Sequence, residues 1–266
     1  MEASAGDARE LAPVSTASAA ALPDIFRVRI ASGGVLGFVR RHPAIATGII
    51  LLAIVVLAAI LAPLLWTVDP TALAPARRAR PPSAVNWFGT DMLGRDIYSR
   101  VVYGARVSLI VGFSVAILSV LFGLAIGLVA GFVRTLESLI MRVMDGMMSI
   151  PPILLAITLM ALTRGSVGNV VLSITVAEIP RVSRLVRSVV LAIRERPYVE
   201  AAITSGTSVP ATIWRHILPN TLGPLTVQAT HICASAMIIE AALSFIGAGT
   251  PPTTPSWGNK IGRAHV

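Results

Sequence analysis

Ionisable side chains inside apolar stretches are the first candidates for chemistry in this chain. His231 and Glu240 lie within residues 222–245, and Asp145 lies near the start of another apolar stretch. A charged group at membrane depth is costly, so each of them is a functional hypothesis. Each also has a structural interpretation. Water or a backbone donor near the outer end satisfies Glu240, Arg142 pairs with Asp145 three residues on, and His231 packs as a hydrogen-bonded side chain.

The residues of the common hydrolytic sites are missing. A nucleotide-binding P-loop ends in Lys-Ser or Lys-Thr, but the single lysine, Lys260, is followed by Ile261. The chain has no His-Glu-x-x-His, no Gly-x-Ser-x-Gly and no paired metal ligands. Its single cysteine, Cys233, lies in an apolar run and predicts an inert thiol. We therefore expect no enzyme activity, no cofactor and no metal, and a pathway driven by a partner ATPase or an ion gradient.

The composition indicates an integral membrane protein. Hydrophobic residues make up 55% of the chain and charged residues 13%, whereas a soluble domain carries about 25% charged residues. The net charge of +9 comes almost wholly from arginine. Because the arginines flank apolar runs, contact with membrane lipid explains them better than binding to nucleic acid does. We expect no nucleic acid partner.

Apolar runs of roughly 20 residues, the length needed to cross a bilayer, divide the chain. The predicted spans are 44–66, 107–133, 143–163, 165–179 and 222–245. The resulting organisation is a disordered cytoplasmic tail (1–35), a first transmembrane helix (36–66), an extracytoplasmic loop (67–105) and a helical core (106–259). Arg40 and Arg41 place the N-terminus in the cytoplasm, although the arginines of the loop 67–105 stand on the unusual side for that rule.

Two features of the predicted spans concern helix packing. Gly123, Gly127 and Gly131 recur every four residues on one face of the second span, which permits close approach of another membrane helix. A short inside turn from Arg134 to Arg142 precedes the third span. Within that span, Ser149-Ile150-Pro151-Pro152 predicts a break, because proline removes a backbone donor and clashes one turn back.

The fourth span has the weakest pattern. Glu178 and Pro180 interrupt it, and Arg181, Arg184 and Arg187 then recur on one face of a helix predicted over 181–196. These arginines reach lipid headgroups or a partner in one interpretation. In the other they form a solvated basic face.

Residues 194–220 form a polar, helix-compatible segment between apolar runs. Glu200-Ala201-Ala202 favours a helix, and Gly206 permits a tight turn after it. A second short helix is predicted to start near Val209-Pro210 and to end at Pro219. Such a helix-turn-helix gives another protein a surface to bind, whereas an ordinary amphipathic connector is the alternative.

Three sequence blocks carry a family resemblance. The first is Gly89-Thr90-Asp91-x-x-Gly94-Arg95-Asp96 with Tyr103 to Leu109. The second runs from Arg184-Leu185-Val186-Arg187 through Glu200-Ala201-Ala202 to Leu218-Pro219-Asn220, and the third is Glu240 to Gly247 with Pro255-Ser256-Trp257-Gly258. In this order they resemble the C-type permease subunits of dipeptide, oligopeptide and nickel ABC importers. Glu178 and Arg181 depart from that family's commonest residues, and His216 departs from the broad "EAA" pattern.

The resemblance implies an all-α, polytopic membrane protein with the helix bundle of a type I ABC-importer permease. It implies a homologous second permease subunit, two ATP-binding subunits and an extracytoplasmic solute-binding protein as partners, in the inner membrane. Residues 194–220, called the coupling segment below, then form the cytoplasmic site that the ATPase pulls. Its implied site residues are Glu200, Ala201, Ala202, Gly206, His216, Leu218 and Pro219.

Three expectations remain open from the sequence. The cargo implied by the resemblance is a di- or oligopeptide, with nickel or another small solute as the alternative. An ion-driven carrier or channel is a less favoured class, and a membrane-embedded hydrolase lacks a nucleophile with its base. The chain shows five spans of an expected six, and residues 260–266 resemble a translated sequencing adapter. We therefore expect the reading frame to stop before the last transmembrane helix.

Overall fold

The computed structural model describes residues 42–261. The predicted tail 1–35, Arg40 and Arg41, and residues 262–266 lie outside this range. The chain divides into two units between Ile49 and Ile50, and every contact discussed below lies within the second unit. The helices are α1 (Pro43–Ile60), α2 (Ile97–Phe132), α3 (Arg134–Met148), α4 (Pro152–Ala161), α5 (Val167–Arg194), α6 (Pro197–Thr204), α7 (Val209–Thr212), α8 (Leu218–Phe245) and α9 (Trp257–Ile261). The described residues contain no strand, so the all-α prediction is confirmed.

The number of membrane spans differs from the prediction. Within residues 42–261, three helical stretches are long and apolar enough to cross a bilayer: Pro43–Ile60, Ile97–Phe132 and Val209–Phe245. Helices α3 and α4 pass the same test only as a pair, and they are bent by 87°. Helix α5 is not among the candidates, because several arginines and Glu178 interrupt its apolar sequence. The count of five is therefore not confirmed.

The boundaries of the first two spans differ from those predicted. Helix α1 ends at Ile60 rather than at Trp66, and a short 3₁₀ turn, Ala62–Leu64, follows it. Helix α2 begins at Ile97, within the predicted loop 67–105, because Asp96 caps its N-terminus. The Asp96 carboxylate accepts a hydrogen bond from the Ser99 backbone N–H at 2.8 Å. With 36 residues, α2 is about 54 Å long, more than a bilayer core requires.

The glycine face of α2 packs directly against α5. A Cβ added to Gly123, Gly127 or Gly131 would lie 2.4, 2.6 or 2.7 Å from the Cβ of Val182, Val186 or Val190, in that order. The three valines are almost completely buried. Each of these glycines of α2 therefore faces a valine of α5, and the contact repeats every four residues along two parallel helices. The predicted packing face is confirmed. We call this contact the Gly–Val interface.

Helix α3 replaces the turn predicted over 134–142. It ends at Met148, and a break at Ser149–Pro151 precedes α4, as the two prolines predict. Asp145 pairs with Arg184 rather than with Arg142. Glu137 of α3 likewise pairs with Arg187 of α5. Arg184 and Arg187 thus join α5 to the neighbouring helix α3. This role differs from both interpretations drawn from the sequence, which were contact with lipid or a partner and a solvated basic face.

Helix α5 is one continuous helix of 28 residues, although the sequence predicted an interruption at Glu178 and Pro180. Pro180 is accommodated inside the helix, and the Ser183 hydroxyl donates a hydrogen bond to the Ile179 carbonyl at 2.9 Å. Packing against α2, α4 and α8 buries much of its length. This tertiary support outweighs the local cost of proline.

At one end of the bundle, two buried arginines tie the start of α2 and the residues before it to residues 252–254. Arg95 donates to the Pro252 carbonyl at 3.1 Å and pairs with Asp91 at 2.9 Å. Arg100 is 1% exposed and donates to the carbonyls of Pro70, Pro252, Thr253 and Thr254. These contacts account for Arg95 and Arg100 at this end of the bundle, because both guanidinium groups satisfy backbone carbonyls.

The same end of the bundle contains Asp91 and Glu240. Burial of the Asp91 carboxylate favours its neutral form, but hydrogen bonds from the backbone N–H groups of Arg95 and Leu93 outweigh this effect and lower its pKa. Glu240 is fully buried and accepts hydrogen bonds from the hydroxyls of Ser244 at 2.8 Å and Ser108 at 3.4 Å. Glu240 is therefore satisfied structurally by side-chain hydroxyls.

Candidate coupling site

The coupling segment begins where α5 ends. Arg194, in the last turn of α5, donates from Nη1 to the Gly131 carbonyl at 3.1 Å, which satisfies a carbonyl near the C-terminus of α2. Arg196 is extended, and Pro197 is the first residue of α6, where its missing N–H costs nothing. The chain therefore turns into α6 directly from two helices that are themselves packed together.

Helix α6 ends in a Schellman motif. The Gly206 N–H donates to the Ile203 carbonyl and the Thr207 N–H donates to the Ala202 carbonyl, both at 3.0 Å. Gly206 has φ +82°, a left-handed conformation that favours glycine. A Cβ at this position would meet nothing within 4 Å. Backbone conformation alone, rather than lack of space, thus requires glycine here, as the tight turn predicted from the sequence implies.

The second half of the segment is continuous with α8. Helix α7 begins at Val209, as predicted, and a π turn over Ile213–Ile217 leads into α8. Pro219 was predicted to end this helix, and that prediction is wrong, because the backbone continues helically through it. A proline lacks an N–H and clashes with the carbonyl four residues earlier, so the wider π turn makes room for it.

The two halves of the segment are anchored to each other and to the bundle. The rings of Tyr198 and His216 lie 6.0 Å apart between centroids. Within the second half, Asn220 donates from its side chain to the His216 carbonyl at 2.6 Å. Val199 from the first half and Ile217 from the second are fully buried in the main hydrophobic core. The segment is therefore a rigid projection of the bundle rather than a loose connection.

The predicted site residues lie together on this projection, but with different exposure. Glu200, Ala201, Gly206 and Pro219 are exposed, and Ala202, His216 and Leu218 are half-buried. Glu200 lies in the first turn of α6, where a carboxylate is favourable near the positive end of the helix dipole. Their role in binding a partner remains a prediction.

The structure adds apolar residues that the sequence motif did not identify. Tyr198, Ile203, Val209 and Trp214 are exposed on the segment, and Trp214 is 72% exposed. Large apolar side chains at the surface of a polar projection are typical of a protein-binding site. The sequence shows these four among several other bulky apolar residues of the segment, and only the fold distinguishes them from the buried Val199 and Ile217.

Comparison with known proteins bears on this geometry. Residues 119–263, more than half of the chain, match the family described as binding-protein-dependent transport system inner membrane component. The chain belongs to this family. The matched region of this permease includes the whole coupling segment, the Gly–Val interface and α8. It is thus an inner-membrane transport component of an ABC importer and not an enzyme.

Several curated relatives resemble this permease over most of its length. The probable peptide ABC transporter permease y4tQ of Sinorhizobium fredii is 48% identical over 90% of this chain and 81% of its own. The dipeptide transport system permease DppC of Alkalihalophilus pseudofirmus is 40% identical over 84% and 73%. The di/tripeptide permease DppC of Pseudomonas aeruginosa is 36% identical over 82% and 74%. The resemblance inferred from the three sequence blocks is confirmed.

Proposed function

We propose that this permease moves di- or oligopeptides across the cytoplasmic membrane by alternating access, driven by two ATP-binding partner subunits. A homologous second permease completes the pathway, and an extracytoplasmic binding protein delivers the cargo. The observation that carries the proposal is a rigid, partly apolar projection, the coupling segment, between two long helices of a membrane bundle. Peptide cargo is supported by the names of the relatives, and nickel or another small solute is the alternative.

The segment suits the transfer of motion. Its first half follows α5 and its second half continues into α8, so a displacement of the segment acts on both helices together. Val199 and Ile217 fix it in the core, which prevents it from moving independently. We infer that closure of the ATPase dimer tilts α5 and α8 and switches access from one side of the membrane to the other.

Orientation follows from the same proposal. The coupling segment and the N-terminus face the cytoplasm, because ATP is hydrolysed there. The opposite end of the bundle, where Arg95 and Arg100 bind the carbonyls of residues 252–254, faces outward. Labelling of Trp214→Cys and Ser83→Cys in intact cells with an impermeant thiol reagent distinguishes the two ends. Reaction at position 214 without permeabilisation contradicts this orientation.

Glu200→Arg tests the docking of the ATPase. Glu200 is exposed, so the substitution reverses a surface charge and loses only a favourable helix-dipole interaction of about 0.5 kcal/mol. We expect the permease, purified in mild detergent from membranes of its native host, to retain at least tenfold less of the ATP-binding subunits. ATP hydrolysis in the eluate and the stoichiometry of those subunits are the measurements.

Glu195→Arg is the matched control. Glu195 is also exposed and lies five residues earlier, at the C-terminal cap of α5, at the start of the coupling segment but not among its implied site residues. We expect it to leave co-purification unchanged. Equal recovery of ATP-binding subunits with wild type and Glu200→Arg would refute a role for this carboxylate. Absence of any such subunit from the wild-type complex would favour an ion-driven carrier instead.

Gly206→Val is expected to uncouple ATP hydrolysis from uptake. A β-branched residue is disfavoured at φ +82°, so the Schellman turn must change and the second half of the segment must rotate relative to the first. Gly206→Asn tolerates the left-handed conformation and has room, so it is expected to retain most transport. Peptide uptake per ATP hydrolysed, measured in proteoliposomes, separates the two variants. Equal coupling in both would contradict the role of this turn.

A further inference from the structure

An ion pair lies near the middle of the bundle, remote from the coupling segment. In the Gly–Val interface, Gly123 of α2 lies against Val182 of α5. This register places Glu178 and Arg181 beside residues 119–122, near the midpoint of the apolar part of α2. Neither side chain belongs to the contacts with α3 that Arg184 and Arg187 make.

The two charges of this pair differ in exposure. Glu178 is 1% exposed, and both of its carboxylate oxygens accept hydrogen bonds from Nη1 of Arg181, at 2.9 and 3.3 Å. The Arg181 side chain is 37% exposed. Among the described contacts, Arg181 donates hydrogen bonds through Nη1, and its Nε and Nη2 donate none. Glu178 thus fixes a guanidinium that still offers donors to a ligand.

A polar row on α8 faces the same region. His231 lies close enough to Glu178 to act on its charge. Gln228, His231 and Ser235 are separated by three and four residues and so share one face of α8. His231 and Ser235 are 3.5 Å apart, and Nε2 of Gln228 is buried without a hydrogen-bond partner among the described residues. Helix α8 packs against α5, so this row lies on a helix that adjoins the Glu178–Arg181 pair.

An exposed guanidinium at this depth needs a polar environment. Facing lipid would cost several kcal/mol, and charged residues inside membrane proteins therefore face a water-filled path or another polar group. The α8 row adds hydrogen-bonding side chains rather than a second carboxylate. This combination fits a passing polar solute better than a permanent ion pair with another subunit.

We propose that Arg181, held in place by Glu178, binds the C-terminal carboxylate of the peptide cargo midway along the translocation path. The proposal rests on the peptide transport proposed above. A planar guanidinium forms strong, directional hydrogen bonds with a carboxylate, and the preformed pair with Glu178 reduces the entropy lost on binding. His231, Gln228 and Ser235 supply weaker contacts to the peptide backbone as it passes.

The test compares a dipeptide with its C-terminal amide. The double variant Glu178→Gln/Arg181→Met removes both charges, because Arg181→Met alone would leave a buried unpaired carboxylate. The single variant Glu178→Gln, which keeps the guanidinium, is the control. Uptake of both peptides into proteoliposomes that contain the complete transporter and its binding protein is measured for each variant. Any selection by the binding protein is common to all variants and cancels when they are compared.

We expect the double variant to lose about tenfold in uptake of the free-carboxylate dipeptide relative to the amide. Glu178→Gln keeps the guanidinium but loses the carboxylate that fixes it, so its loss of preference should be smaller than that of the double variant. An equal change for both peptides in the double variant overturns the proposal, as does loss of the second permease subunit from the purified complex, which would assign Arg181 to that interface. If the wild type transports neither peptide, the proposed function itself fails.

A second measurement does not depend on transport of the amide. Cysteine replaces the exposed His231 in a Cys233→Ser background that keeps Glu178 and Arg181, and its reaction with a charged, membrane-impermeant thiol reagent is followed in purified transporter. We expect reaction with the reagent and at least fivefold slowing by saturating dipeptide. Val176→Cys in the same Cys233→Ser background, five residues before Arg181 on α5 and 36% exposed, should react without protection. No protection at position 231 overturns the proposal.

Discussion

Replacing Gly127 with alanine is expected to destabilise this permease by about 3 kcal/mol, because the Gly–Val interface has no room for one more carbon. The added Cβ would lie 2.6 Å from Cβ of Val186 and 2.8 Å from the Ser183 carbonyl. Neither atom is the end of a flexible side chain, so α2 and α5 must separate. Unfolding of the purified protein in detergent, by heat or by denaturant, measures the change.

Gly146→Ala is the control for this substitution. Gly146 lies inside α3, and a Cβ there meets nothing within 4 Å. Alanine is better than glycine in a helix interior by up to about 1 kcal/mol, so this variant should be as stable as the wild type or more so. The two glycine-to-alanine changes thus have opposite expected signs. Equal stability of the two variants would show that the interface is looser than this packing indicates.

The glycine face shows what the sequence alone can establish. A four-residue spacing of glycines in an apolar helix predicts close packing, because the spacing itself defines one face. It does not name the partner helix, since any membrane helix with complementary side chains could fit. The valines of α5 could be identified as the packing partners only after the fold was known. They also recur every four residues, but they lie in the helix whose membrane span had the weakest sequence pattern.

The arginines show where the sequence was insufficient. Arg184 and Arg187 pair with Asp145 and Glu137, which lie 39 and 50 residues away along the chain. The sequence predicted an ion pair of Asp145 with Arg142, because partners three residues apart on one helix can be identified without knowing the fold. Long-range ion pairs need the relative position of two helices, and hydropathy does not contain that information.

The coupling segment falls between these cases. The turn at Gly206 was predictable, because a left-handed residue after a short helix calls for glycine. The continuation of α8 through Pro219 was not, since accommodation of a proline by a π turn depends on packing around Ile217. Sequence rules therefore located the segment and its turn, whereas the fold supplied its rigidity and identified the exposed side of its surface.

Trp214→Ala is expected to have the largest effect on binding of the ATP-binding subunits. Trp214 is 72% exposed and lies in the π turn, between the half of the segment that begins at Val209 and the long helix α8. Tryptophan at the centre of a protein interface commonly contributes about 2–4 kcal/mol, so its loss should weaken binding of the ATP-binding subunits by about 30- to 1000-fold. Titration of purified ATP-binding subunits onto the permease in nanodiscs measures the affinity.

Trp66→Ala is the matched substitution at the other end of the bundle. Trp66 is 85% exposed and contacts Trp87, near the start of α2, whereas the coupling segment lies beyond the end of that helix. The same atoms are removed from a similarly exposed site, so loss of surface tryptophan as such is controlled. If both variants bind the ATP-binding subunits as tightly as the wild type, the exposed apolar face of the segment is not the docking surface. Selective weakening by Trp214→Ala places the contact on the π turn, where a force on the side chain acts directly on the start of α8.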